Sequence, residues 1–199
     1  MTRASRVTRW VAFGLMAALT LLFGLFAAGY AFEDPGGWQA VGMTMVVVAP
    51  LVLLTFVAYR WPQAATWLLA AGTVLVAVVA VIDAAGQQRG ALLEEFGPVV
   101  AVNVLMLGLP MAMLGLHRPL VAALLIGGTA LAVYLPSLPF VLQHGISLGA
   151  SVSWSSSVLV VPFLVIAAVF GLAALLNRGE AARKPPAPLA PQPPVRAGV

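Results

Sequence analysis

The stretch WVAFGLMAALTLLFGLFAAGYAFEDPGGW, residues 10–38, decides the kind of fold this chain adopts. Its first 23 residues carry no charge, and the run ends at two acids, a proline and two glycines. About 20 such residues, coiled as a helix, cross the hydrocarbon core of a bilayer. A helix of this length on the surface of a soluble protein would show a polar face. Here a single threonine interrupts the apolar residues. The run therefore predicts a transmembrane helix, and Glu33–Asp34–Pro35–Gly36–Gly37 predicts the turn that ends it. A secretory signal is the competing reading, because MTRASRVTR precedes the run and the small-residue stretch AAGYA falls near its end. Signal cores are about 7–15 residues long, so the length favours a retained helix.

The rest of the chain agrees. Of its 199 residues, 62% are hydrophobic and 8% charged, with mean hydropathy +1.04. Soluble domains carry about 25% charged residues. So apolar a chain has too little polar surface to face water, whereas in lipid each helix satisfies its own backbone hydrogen bonds. Five more apolar runs follow, at about 40–59, 64–82, 97–116, 120–135 and 154–176. The fold class read from these is an all-α integral membrane protein: six transmembrane helices in antiparallel hairpins, then a disordered proline-rich tail over 179–199.

Charge sets the threading. Cytoplasmic flanks of membrane helices are enriched in Lys and Arg. With six crossings, Arg3, Arg6, Arg9, Arg60, Arg118, Arg178, Arg183, Lys184 and Arg196 fall on one side, and only Arg89 falls opposite. Five of the six acids, Glu33, Asp34, Asp83, Glu94 and Glu95, fall on the other side, and Glu180 alone does not. Both termini are therefore expected in the cytoplasm, with the protein in the cell membrane. Trp10, Tyr59, Trp61 and Trp67 sit near inner ends, and Tyr30, Trp38, Tyr134 and Trp154 near outer ends, as amphipathic rings prefer. The net charge of +4 is spread along the chain, so no nucleic-acid partner is expected.

Two turns, YRWPQ and LHRPL, pair arginine with proline, which ends one helix and can begin the next. Runs two, four and six hold Pro50, Pro110 and Pro162; runs one, three and five hold Thr20, Thr73 and Thr129. A two-helix unit repeated three times fits this pattern, and so does the mutual likeness of low-complexity apolar helices. In the apolar segment over 136–153 and beyond, Gly145, Gly149, Ser153 and Ser157 recur every four residues. On a helix they form a small-residue stripe suited to self-association or to another membrane protein; a flexible Gly/Ser loop is the equal alternative. The tail motif PQPPVR has the shape that SH3 domains bind, a shape that proline-rich tails readily generate.

Chemistry is sparse. An ionisable group within hydrocarbon is a functional hypothesis by default, and only Asp83, at the outer end of run three, comes near one. Asn103 lies inside run four, where an amide usually bonds a neighbouring helix. The candidate polar or cation contacts are therefore Glu33, Asp34, Asp83, Glu94, Glu95 and Asn103. Gathered on one face, the carboxylates offer oxygen ligands to a cation, but no calcium-loop spacing is present. His117 and His144 are placed on opposite sides of the membrane and share no metal. Zincin and nucleophile-elbow motifs are absent, and a Ser151–His144 dyad, about seven residues apart, is conceivable but only loosely specified by such spacing. No cysteine exists, which removes disulfides and thiolate sites. No cofactor, metal or catalytic residue is assigned.

Nine Arg against one Lys, an Ala/Val/Leu/Gly-rich composition, FEDPGGWQAVG and the YRWP turn together give a resemblance. The chain resembles small uncharacterised multi-pass membrane proteins of high-GC actinobacteria over its first two helices. That resemblance implies a cell-membrane context and brings no activity or site residues. The expected function is a non-enzymatic integral membrane protein, an accessory or interaction component of a membrane assembly. A small transporter or channel for an ion or solute is the alternative, and an intramembrane enzyme comes last.

Overall fold

A computed structural model of the chain describes residues 3–33, 37–87, 99–135, 138 and 159–183. Among these residues the fold is helical, with six helices: α1 (Arg3–Glu33), α2 (Gly37–Arg60), α3 (Pro62–Gln87), α4 (Val99–His117), α5 (Pro119–Tyr134) and α6 (Val160–Arg183). Four of them, α1, α2, α3 and α6, are long and apolar enough to cross a membrane; α4 and α5 supply shorter apolar helices. The 136–153 segment, apart from Leu138, lies outside the described residues, as do Gly145, Gly149, Ser153, Ser157 and the tail from Lys184; residues 179–183, expected in the disordered tail, instead continue α6 as helix.

Local chemistry explains the helix ends. Gly37 opens α2 at φ +58°, a conformation that a Cβ penalises and glycine adopts freely. Between α2 and α3 the chain breaks for one residue, Trp61, whose N–H donates to the Val57 carbonyl (2.8 Å) and whose carbonyl accepts from Ala65 (3.0 Å). Pro62 then starts α3, where a missing N–H costs nothing. The α4–α5 corner repeats this device: Arg118 donates to Leu114 (2.8 Å) and accepts from Ala122 (3.1 Å), and Pro119 begins α5. Pro50 and Pro110 lie inside α2 and α4, and Pro162 is the third described residue of α6.

Three contacts fix the relative threading. Ser5 near the start of α1 donates to the carbonyl of Ala173 in the C-terminal half of α6 (3.2 Å). Arg9 donates to the carbonyl of Leu116 at the end of α4 (2.9 Å). Tyr59, at the end of α2, meets His117, with ring centroids 6.2 Å apart. The start of α1 and the ends of α2 and α4 thus share one end of the bundle, with the C-terminal half of α6 against it. Arg3, Arg6, Arg9, Arg60 and Arg118 all belong to that end, called the arginine end below.

The core is centred on α4. Residues 104, 105, 107, 108, 110–112, 114 and 115 are all buried, the mark of a helix surrounded on every side. Helices α1, α2, α3 and α5 pack directly against it. α6, packed chiefly on α1 and α5, reaches it through Phe163 and Phe170. Met16, Leu69, Met111, Leu114, Ile126, Phe163 and Phe170 are fully buried or nearly so. Outward, α1 exposes Leu21, Leu22, Leu25 and Phe26, α2 exposes Val46, Val52, Leu53 and Phe56, and α3 exposes Val74, Leu75, Val78 and Ile82. Hydrating such side chains costs about 1.5–3 kcal/mol each relative to burial. Apolar faces this large are those of a protein whose solvent is lipid.

Candidate functional site

The predicted polar contacts divide by how far the structure describes them. Glu33 is the last residue of α1 and is exposed. The backbone of Asp83 lies in the C-terminal part of α3 and that of Asn103 near the start of α4; their side chains lie outside the described residues, as do Asp34, Glu94 and Glu95 entirely. Helix direction places Glu33, Asp83 and Asn103 toward the end opposite the arginines. Among the described residues no group of three or more His, Asp or Glu side chains is disposed to hold a metal ion.

The better-defined site is at the arginine end, on residues that sequence reasoning treated as flanking charge. α1 buries Ser5, Arg9, Ala12 and Met16, at spacings of four, three and four, which line up on one helical face. Arg9 thus falls on the packing stripe, with only 4% of its surface exposed. One terminal nitrogen, Nη1, donates to the Leu116 carbonyl, a group at the end of α4 that has no partner within its own helix. A cation there also meets the negative end of the helix dipole. The Nε–H is buried with no hydrogen-bond partner. An unpaired buried donor carries a desolvation cost of about 1–3 kcal/mol, so Arg9 is incompletely satisfied by the protein.

Beside it lies a cavity of about 340 Å³. Arg6, Arg9 and Trp10 line it from α1, Tyr59 from α2, and Met113, Leu116 and His117 from α4. None of these residues is acidic. Trp10 and Tyr59 are more than half exposed and carry polar atoms suited to a membrane–water boundary. A second cavity, about 330 Å³, adjoins the first and shares Tyr59 and Met113 with it. Its other walls are Leu51, Val52, Thr55 and Phe56 of α2 and Leu109 of α4. From Tyr59 back to Leu51 is eight residues, so this groove descends about 12 Å along the α2–α4 seam at 1.5 Å per residue.

A third polar feature lies deep between α3 and α5. The Thr73 and Thr129 hydroxyls are 3.2 Å apart, and each is also within reach of the carbonyl four residues before it, Leu69 (2.9 Å) and Leu125 (2.8 Å). One hydroxyl therefore donates between the helices while the other donates along its own helix. No family model matches the chain, and no curated protein or solved structure shows significant similarity to it.

One signal could have exposed Arg9 in the sequence. Ser5, Arg9, Ala12 and Met16 share one helical face, with small residues at i and i+7 flanking the arginine. In a run where nearly every residue is apolar, that pattern does not stand out.

Proposed function

We propose that this chain is a non-enzymatic integral membrane protein that crosses the cell membrane six times, with both termini cytoplasmic. In this reading it is an accessory or interaction component of a membrane assembly. The observation that carries it is the character of the interior. Among the described residues the fully buried polar side chains are Ser5, Arg9 and Thr129, while the half-buried Thr20, Thr44 and Asn177 each hold a buried oxygen without a hydrogen-bond partner. Ser5 and Arg9 bond helix carbonyls at one end, and Thr129 bonds within the α3–α5 contact. Between them lie Met16, Met111, Leu114, Phe163 and Phe170, all fully buried. Solute pathways through membranes are lined by polar and ionisable groups facing a cavity, and this packing supplies a rigid apolar body with lipid-facing sides.

Six crossings need α4 and α5, the two shorter apolar helices, to span as well, α5 across a locally thinned bilayer. The 19 residues of α4 measure about 28 Å and the 16 of α5 about 24 Å, against a hydrocarbon core of roughly 30 Å. The alternative, a transporter or channel, would work through Asp83, Asn103 and the outer acids.

Affinity purification of the full chain from native membranes tests the choice. The accessory reading expects a membrane protein to co-purify at a fixed stoichiometry, and reconstituted liposomes to show no solute flux above protein-free controls. Saturable flux that is abolished by Asn103→Leu or Asp83→Asn would replace this reading with the transporter.

A further inference from the structure

We infer that the paired cavities at the arginine end form a site for one anionic phospholipid, with its phosphate against Arg6 and Arg9 and an acyl chain in the α2–α4 groove. The inference rests on the membrane placement proposed above. It adds a ligand and a site to that reading.

Two independent features support it. The first is the charge and saturation state of the head region. Arg9 has only 4% of its surface exposed, and its Nε–H lacks a partner. Arginine recognises phosphate through several N–H groups held in one plane, often by two parallel bonds. Nη1 is occupied by Leu116 and the Nε–H is buried without a partner, so the protein leaves the guanidinium incompletely bonded where Arg9 lines the cavity. Arg6 lines the same cavity and is exposed, so a second cation is available without further desolvation. Among the described residues that line the cavity none is acidic, so none competes there for the guanidinium groups.

The second feature is the gradient from polar to apolar. The adjoining groove is walled by Leu51, Val52, Phe56, Leu109 and Met113. Val52 and Phe56 are more than half exposed, so the groove opens sideways toward the bilayer and not into the bundle. A soluble anion would have no use for that apolar extension. A phospholipid has a charged head at the depth of the arginines and a chain that descends from it. Basic pockets between membrane helices on the cytoplasmic side bind anionic headgroups in this way.

The test uses the full chain in detergent, with native mass spectrometry after adding phosphatidylglycerol or phosphatidylcholine of identical acyl composition. The wild-type chain is expected to retain one phosphatidylglycerol, at least about tenfold more strongly than phosphatidylcholine, the scale of a charge-assisted contact. Arg9→Met should erase that preference and Arg6→Gln should weaken it several-fold. Arg6 is exposed, so Arg6→Gln serves if Arg9→Met does not fold. Val52→Trp, which fills the groove from an exposed position, should reduce retention of both lipids, whereas Val165→Trp on the exposed face of α6 should not. Equal retention of the two lipids by the wild type, or wild-type retention by Arg6→Gln and Val52→Trp, overturns the proposal. Displacement of the lipid by 10-fold excess inorganic phosphate assigns the site to a free anion and also overturns it. Carbonate extraction from native membranes tests the membrane placement separately, so the two readings fail by different results.

Discussion

Arg9 shows how one residue can serve two opposing terms. Its bond to the Leu116 carbonyl is charge-assisted and contributes about 1.5–3 kcal/mol. Against that stands the burial of a cation whose Nε–H has no partner, and an incompletely paired buried charge is often no more stable than an apolar residue of similar size. The terms are of equal size, so Arg9→Met is expected to change stability by less than about 1 kcal/mol in a detergent melt; a loss above 3 kcal/mol would show that the arginine is mainly a structural cap. Thr129 gives a smaller case. Thr129→Val removes the hydroxyl contact with Thr73, but Thr73 keeps the Leu69 carbonyl. The expected cost is about 0.6 kcal/mol, typical of hydrogen bonds between membrane helices, and a Thr73→Val/Thr129→Val cycle measures it. Neither residue's partner was legible in the sequence, although the mid-run position of both threonines was.

For the elements, the decisive contacts are between glycines of α4 and phenylalanines of α6. A Cβ at Gly115 would overlap the ring of Phe170, which is fully buried and has nowhere to turn. Gly115→Ala is expected to cost about 1–3 kcal/mol, as overpacking does, and Phe170→Leu in the same chain should recover part of it. Gly108 offers a control. A Cβ there would come within 2.9 Å of Met16 Sδ and of Phe163 Cζ, a smaller overlap than at Gly115, where three atoms of one ring come closer, and one of its two neighbours is a flexible thioether. Gly108→Ala should therefore melt closer to wild type than Gly115→Ala does; the reverse order would contradict this account of α6 packing. Arg–Pro corners after α2 and α4 were readable from YRWPQ and LHRPL, because proline's missing N–H acts locally. The glycine–phenylalanine fit was not, because it joins residues 55 positions apart for Gly108–Phe163 and again for Gly115–Phe170.

Across the whole molecule, the long-range contacts set the helix directions. Ser5–Ala173, Arg9–Leu116 and Tyr59–His117 bring the start of α1 and the ends of α2 and α4 to one end of the bundle, where Arg3, Arg6, Arg9, Arg60 and Arg118 also lie. The proposed orientation has a direct test, made clean by the absence of native cysteine. A cysteine replacing Gly36 should react with a membrane-impermeant maleimide added outside intact cells, and one replacing Gln63 should not; the opposite pattern would invert the threading. The sequence by itself determined the helical class, the presence of helices long and apolar enough to cross a membrane, and the gathering of Arg3, Arg6, Arg9, Arg60 and Arg118 at alternate run ends. These follow from composition, run length and the cost of moving charge through hydrocarbon, all of which act residue by residue. Only the tertiary structure decided that α4 is central, that Arg9 packs inward, and that a basic cavity opens onto an apolar groove beside it. The physical reason is that lipid is as apolar as a protein core. Apolar residues face both, so hydropathy cannot mark which side of a membrane helix packs, and shape alone makes that choice.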